Sequence, residues 1–354
     1  LRVAGGRRGV MRYYVLIGVV IAVVAAWTGV WFYIAGEVRQ QTQASADQIT
    51  DTYKASHGGF VIGGYPFRIR VDISRPRLDL RDNSSGFLWE TDDVSGVRHL
   101  WQPRHILLDL SGQHRFTLAH DGAWYRLELD NSEAMASVQT DAAGQMGRLS
   151  LDIKEPLLGY SLVPALEETL QAAGRARRLQ IHARMTPDAS GDIDVALRGD
   201  GLEIGEGVLP DHLAAVSRTI PLLDLQTTVT GLSDHGPSTT PIAQWRDDGG
   251  TIEVRRFHLQ WGDMELTASG SLALDERMRP IGALTARIKG HDQLLDIAVA
   301  TKSMDKNGAI AARAVLGLLA AAGGGVLSVP VRLQDGQLFL GPAAVANLGA
   351  LAVQ

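Results

Sequence analysis

The chain has 354 residues, 45% of them apolar, with a formal net charge of −5 and no cysteine. Without thiols there can be no disulfide, thiolate nucleophile, cysteine-bound zinc or iron–sulfur cluster, and the redox compartment is left open. Acidic and basic residues are interspersed beyond the N-terminal segment, which excludes the basic footprint of a nucleic-acid partner. The length exceeds the usual single domain and predicts two subdomains or one elongated body, while 39 glycines and 13 prolines point to many turns and short strands.

Residues Tyr13–Ala35 contain no Asp, Glu, Lys, Arg or His. As a helix this run spans about 34 Å, enough for the hydrocarbon core of a bilayer with slight tilt. Trp27, Trp31, Phe32 and Tyr33 crowd its far end, where amphipathic rings favour the headgroup level, and Arg2, Arg7, Arg8 and Arg12 precede it. That asymmetry predicts a cytoplasmic N-terminus and a single span, with the bulk of the chain on the other side. A cleaved signal peptide has a shorter apolar part and ends in a small-x-small site. This run is longer and ends in aromatics, with Ala35-Gly36 as its one weak cleavage option, so an uncleaved anchor is expected. The chain begins with Leu1, and Met11 is a candidate start that would leave Arg12 as the main positive signal.

Glu37–Ala55 is polar, rich in Gln and Ala, and free of Gly and Pro, which predicts a helical stalk. His57-Gly58-Gly59 ends it, and the periodicity switches to two. In Phe67–Ile73 apolar residues alternate strictly with charged ones, as in a strand with one face on a core and one in water. The pattern returns at Leu78 and Leu80, Phe116 and Leu118, Tyr125 to Leu129, and Leu149 to Ile153, with His120-Asp121-Gly122 as a hairpin turn. Residues 60–155 therefore read as an antiparallel meander.

Ser161–Ala173 reads as a helix with Pro164 in its first turn and Gly174 after its last, and Arg175, Arg177 and Arg178 would complement its C-terminal dipole. Strands resume over Leu179–Met185, Ile193–Leu197 and, after a short helix at Pro210–Arg218, over Leu223–Val229; Ser233–Gln244 reads as an exposed loop. Between 250 and 290 strands follow closely, separated by turns at Gly262-Asp263 and Asp275–Pro280. Ala309–Ala322 is an Ala- and Leu-rich helix, too short for a second span and expected to pack on the sheet. A last hairpin, Val329–Leu333 with Leu338–Leu340, turns on Gln334-Asp335-Gly336. The expected fold class is α+β, mainly β with a few helices: an N-terminal transmembrane helix, then antiparallel sheet, elongated and curved if its parts join, with short helices packed on it. The expected divisions are 1–36 start and anchor, 37–57 stalk, 58–158 N-terminal β-rich part and 159–354 C-terminal β-rich part with helices.

The segment Gly64-Tyr65-Pro66-Phe67-Arg68, preceded by Gly58, Gly59 and Gly63 and placed after an anchor and a polar helix, resembles the strand start of domain of unknown function 2125, a family of uncharacterised bacterial membrane-anchored proteins. That resemblance covers nearly the whole chain and implies an architecture and a location, the bacterial inner membrane with a periplasmic body, but no activity. Gly262–Leu272 followed by Gly282-Ala283-Leu284, and the ending Val331–Pro342, are similar to the repeated strand pairs of AsmA-like envelope proteins. This second likeness covers about a quarter of the chain and implies a long curved sheet that shelters lipid.

No zincin, P-loop, nucleophile-elbow or dinucleotide-binding motif occurs. His99, His105, His114 and His120 are the densest histidines but lack helical i, i+4 or strand His-x-His spacing, and read as surface or strand-edge residues. The neighbouring carboxylates Glu167-Glu168, Asp247-Asp248 and Asp92-Asp93 point in different directions and read as solvated. Arg68 and Arg70 share a strand face with Asp72, which reads as a salt-bridged solvated face, with contact to a lipid headgroup or a partner as the alternative. No catalytic residue, cofactor or metal is expected; a hydrolase would need a convergent acid, base and nucleophile that the sequence does not display. The apolar strand faces remain, with Phe67, Ile69, Val71, Phe257, Leu259, Trp261, Leu266 and Leu272 as candidate linings of an amphiphile groove. A closed core has the same alternation. The expected function is binding of lipid or another amphiphile in support of cell-envelope biogenesis; the alternative is a membrane-tethered scaffold that docks an envelope protein and holds no ligand.

Overall fold

In the computed structural model of the chain, residues 6–81, 86–120, 123–163, 170–186, 191–209, 217–232, 241–300, 305–341 and 343–350 are described. The anchor and the stalk form one helix, α1 (Gly6–Tyr53), 48 residues long and about 72 Å at the α-helical rise. Within it Val19–Gln40 has a mean hydropathy of 2.0 and is long and apolar enough to cross a membrane.

The strands follow in chain order: β1 (Ala55–Ser56), β2 (Gly59–Gly63), β3 (Arg68–Ser74), β4 (Arg77–Asp79), β5 (Phe87–Thr91), β6 (Asp93–His99), β7 (His105–Asp109) and β8 (His114–His120). Then come β9 (Ala123–Asp130), β10 (Glu133–Thr140), β11 (Met146–Lys154), β12 (Leu157–Val163), β13 (Gln171–Arg175), β14 (Arg178–Met185), β15 (Ile193–Ile204) and β16 (Thr219–Val229). After α2 (Pro241–Asp247) the chain forms β17 (Ile252–Trp261), β18 (Met264–Leu274) and β19 (Pro280–Lys289), then the helices α3 (Asp292–Ala300) and α4 (Lys306–Ala322), and ends in β20 (Leu327–Gln334), β21 (Gln337–Leu340) and β22 (Ala343–Asn347). Every pairing is antiparallel and all strands belong to one open sheet, so the two β-rich parts are continuous and residue 158 lies inside β12.

The registers show a simpler object than the 22 strands counted among the described residues. The Lys154–Arg178 pairing of β11 with β14 resumes as Leu157–Arg175 between β12 and β13, and both β13 and β14 pair with β15. Each pair of consecutive short strands in the first half is thus one long strand interrupted near its middle, and the sheet is an up-and-down meander whose first half has two panels. The interruptions align in a seam. Backbone pairing persists across it through Arg75 N to Asp92 O (2.5 Å), Leu110 N to Ala134 O (2.7 Å) and Glu155 N to Arg177 O (3.0 Å). Arg75 and Glu155 take left-handed backbone there, at φ 47° and 50°, a conformation that non-glycine residues rarely adopt.

One face of this sheet carries an unbroken apolar row. Directly paired residues share a face, and the pairing runs from Val71 through Leu108, Leu151, Leu197 and Phe257 to Val329, with only Gly, Ala, Ile and Leu in the intervening strands. The adjacent row on the other face carries Asp72, Asp152, Arg198, Asp224 and Arg287. The apolar face is covered at its two ends. Trp31 and Ala35 of α1 bury Ile69 at one. At the other, Leu295 of α3 and Leu316 and Ala320 of α4 pack with Met264, Ala286, Ile288 and Leu327. Arg313 ties α4 to Asp292 and Asp296 of α3 at 2.8 and 2.6 Å.

The structure corrects several expectations. Ser161–Ala173 is not a helix: its ends belong to β12 and β13, while 164–169 lie outside the described residues. The prediction followed the Pro164 and Gly174 punctuation, but Leu157, Tyr160 and Leu162 pair with β9, and that tertiary pairing overrides local propensity. Arg175 and Arg178 accordingly serve no helix terminus and instead pair across strands with Glu203 and Asp152, each at 2.6 Å. The loop expected over Ser233–Gln244 ends in α2, and most of the helix expected at Pro210–Arg218 and the Asp121-Gly122 turn lie outside the described residues. Helix α3 was not anticipated.

Candidate functional site

The end of the apolar face beside α1 carries a cleft of about 610 Å³ between α1 and the seam. Val38 and Thr42 of α1 form one wall, Ile69 and Val71 of β3 and Ile106 of β7 a second, and Leu78 and Trp89 of the other panel a third. Its lining is overwhelmingly apolar because β3 presents Ile69, Val71 and Ile73 on the same side, and the alternation read from the sequence places Arg68, Arg70 and Asp72 on the other. Arg70 and Asp72 form the expected pair at 2.7 Å.

The segment Gly64–Arg68 holds α1 over this cleft. Trp27 donates its indole N–H to Pro66 O and Trp31 donates its own to Arg68 O, both at 2.9 Å, and the Thr28 and Tyr65 hydroxyls are 2.7 Å apart. The Trp31 and Tyr65 rings meet edge to face with centroids 5.5 Å apart. Gly64, at φ +98°, closes the turn through Gly64 O and Arg68 N (3.1 Å). A Cβ there would lie 2.7 Å from Arg68 O. Trp31, read from the sequence as a headgroup-level ring, is only 5% exposed, whereas Phe32 and Tyr33 remain exposed.

At the back of the cleft the seam is held by buried polar groups. Trp89 donates to His114 Nδ1 (3.3 Å), and His114 Nε2 lies 2.7 Å from Leu110 O, which fixes the neutral tautomer with its proton on Nε2. Asn131 accepts from Gly112 N at 3.3 Å and donates to Gly112 O at 2.9 Å and Leu110 O at 3.4 Å. Thr91 donates to Gln113 O at 2.7 Å. His114, the first residue of β8, is therefore a buried structural residue, not the surface or strand-edge histidine expected, and no group of metal-ligating side chains occurs among the described residues.

The remaining predicted groove residues fall on the same apolar face in different settings. Phe67 is exposed and touches Trp101, Ile69 is buried under α1, and Val71 lines the cleft. Leu259, Trp261 and Leu266 pack against the core under α3 and α4. Phe257 and Leu272 are half-buried. Between the two helical covers, Leu151, Leu197 and Leu225 stay half-buried and Ile181 is exposed, and among the described residues neither buried core cluster reaches them. Leu78 reads from the sequence only as a strand residue and His114 only as a surface or strand-edge histidine, while Trp89, Thr91 and Asn131 are not singled out there. The signal for Trp89 and Thr91, an alternation that starts at Phe87, is short and blurred by the apolar Leu88 on the opposite face.

The polar face is an ionic lattice. Asp194, nearly buried, pairs with Arg184 at 3.0 Å and Arg255 at 2.8 Å and accepts from Thr228 at 2.8 Å. Burial pushes its carboxyl up, but Thr228, Arg184 and Arg255 together bring it below the usual carboxylate range. Arg81, with Arg77, holds Asp79 well below that range, and Arg178 lowers Asp152 in the same way.

No curated protein matches the chain by sequence. A family model described as uncharacterised proteins conserved in bacteria, domain of unknown function 2125, matches residues 31–348, most of the chain, including Trp31 and Gly64–Arg68 but not Trp27 and Thr28. Of the two resemblances read from the sequence, it supports the first alone. The chain is a member of the domain of unknown function 2125 family.

Proposed function

We propose that this protein is anchored in the bacterial inner membrane by α1, with its N-terminus cytoplasmic and its sheet in the periplasm, and that the apolar face carries the acyl chains of a lipid or another amphiphile in support of envelope biogenesis. It acts as a binding protein, not as an enzyme. The observation that supports this reading most is the uninterrupted apolar row from Val71 to Val329, covered by helices at its two ends and half-exposed between them. A soluble sheet face with no ligand to meet is ordinarily polar or covered by a second layer.

The test is extraction and mass spectrometry of amphiphiles retained by the full chain after detergent purification. Stoichiometric lipid that is lost on substitution of Leu197 by Arg supports the reading; a chain free of amphiphile, with Leu197→Arg indistinguishable from the parent, overturns it. A second reading, docking of an envelope protein without a ligand, draws on α4, whose outer face leaves Ile310, Val315, Leu318 and Leu319 exposed. A lipid-free chain crosslinked through α4 to another envelope protein would favour it.

A further inference from the structure

We propose that two neighbouring hairpin tips, residues 64–67 between β2 and β3 and residues 100–104 between β6 and β7, insert into the interfacial layer of the bilayer that α1 crosses. The body then rests on lipid instead of standing off on a stalk. The inference rests on the reading of α1 as a membrane span and not on the cleft holding a ligand.

The geometry is a ruler. Trp27 and Thr28 lie inside the apolar span Val19–Gln40 and are hydrogen-bonded to Pro66 and Tyr65. From Trp27 to Ala35, the last residue of the charge-free run, is about 12 Å along the helix axis. Any depth that places Trp27 in lipid places the Tyr65-Pro66 tip beside it at the same level.

The tips have the composition such a depth requires. Tyr65, Phe67 and Trp101 are 48%, 59% and 60% exposed, and the Phe67 and Trp101 rings pack across the two tips with centroids 6.4 Å apart. Rings of this kind concentrate at the membrane interface. Arg68 and Arg104, both exposed, adjoin them, suited to anionic headgroups. The next tip on the same edge, Asp141–Gln145 between β10 and β11, has no aromatic residue and is folded around Asp141, whose carboxylate accepts from Ala143 N and Gln145 N at 2.8 and 2.9 Å. Tip composition thus turns from aromatic to polar with distance from α1. The seated position also sets Ile69 and Val71, the floor of the cleft, beside Ala35, level with the outer end of the span.

The absence of cysteine makes the test direct. Single-cysteine variants of the full chain, Phe67→Cys, Trp101→Cys, Val24→Cys and Asp141→Cys, are labelled with an environment-sensitive fluorophore in vesicles of phosphatidylethanolamine and phosphatidylglycerol. Quenching is read with lipids spin-labelled high on the acyl chain and with aqueous iodide. The expected result is lipid quenching and iodide protection at 24, 67 and 101, and the reverse at 141. Quenching at 24 with full iodide access at both 67 and 101 overturns the inference alone; no lipid quenching at 24 overturns the span and the inference with it. Phe67 and Trp101 stand on different tips, so loss of folding in one variant leaves the other to decide, and an unchanged circular-dichroism melt identifies the variants that are read.

Discussion

The indole N–H of Trp31 donates to the carbonyl oxygen of Arg68 across 2.9 Å, and this bond joins the long N-terminal helix to the first full strand of the sheet. Trp31 is also buried against Ile69, so the contact is at once apolar and polar. Trp31→Phe keeps the ring and strands the carbonyl, at a cost of about 1–3 kcal/mol. Trp31→Ala also empties the site and costs about 3–5 kcal/mol. Hydrogen exchange should speed up over β2 and β3 in both variants, more in the second. The core under α3 and α4 is a separate cluster and should keep its protection.

Gly64 acts on the same bond from the other side. Its left-handed backbone at φ +98° and the 2.7 Å approach that a Cβ would make to Arg68 O mean that Gly64→Ala must displace the carbonyl Trp31 uses. The expected cost is about 1–3 kcal/mol from strain at a position closed to side chains. The exchange pattern should match that of Trp31→Phe, and combining the two substitutions should cost less than their sum because both remove one interaction.

Much of this was legible in the sequence, and the limits have physical causes. The strict alternation of Phe67–Ile73 announced β3 and its inner face because one side meets α1 and the other water. Gly262-Asp263 and Asp275–Pro280 do separate β17, β18 and β19. Ala309–Ala322 is the greater part of α4 and packs on the sheet through Leu316 and Ala320. Illegible was the seam. It breaks strands at Arg75, Asn131 and Glu155, where Pro76, Asp130–Ser132 and Pro156 carry the turn signals of a chain reversal, but bonds such as Arg75 N to Asp92 O and Glu155 N to Arg177 O carry the chain straight on into the next panel. The clamp was half legible: Gly64–Arg68 stood out as a signature, but nothing local says that Trp27 and Trp31 donate to carbonyls 39 and 37 residues away.

Asn131 offers a measure of the seam. Only 7% exposed, it satisfies Gly112 N and Gly112 O and shares Leu110 O with His114, and Asn131→Ala leaves the two half-buried Gly112 groups without this partner. A loss of about 2–3 kcal/mol is expected in chemical denaturation. Asn131→Asp restores the acceptor but not the donors and should recover only part of it.

Acid should loosen the polar face. The carboxyls of Asp79, Asp152, Asp194 and Asp275 are all lowered from the ordinary 3.8 in the folded chain. A group with a depressed folded pKa binds its proton more readily when unfolded, so its stabilisation is complete above the ordinary value and is lost as pH falls below it. The melting temperature should be flat from neutral pH to about 5 and fall steeply below about 4. Asp194→Asn should flatten part of that fall and, because Arg184 and Arg255 are half-exposed, cost about 1–2 kcal/mol at neutral pH.

Leu197 separates stability from binding on the apolar row. It pairs with Ile181 and Leu225 yet is only half-buried, so Leu197→Ser should cost about 1 kcal/mol, near half the value of a fully buried leucine. Its effect on retained amphiphile should be much larger, because the serine interrupts a path on which every neighbour in the row is apolar. Gln226→Ala, on the opposite face beside Ala196, should leave retention unchanged. Equal loss of amphiphile in the two variants would mean that the lipid coats the protein without selecting a face, and the groove reading would fall.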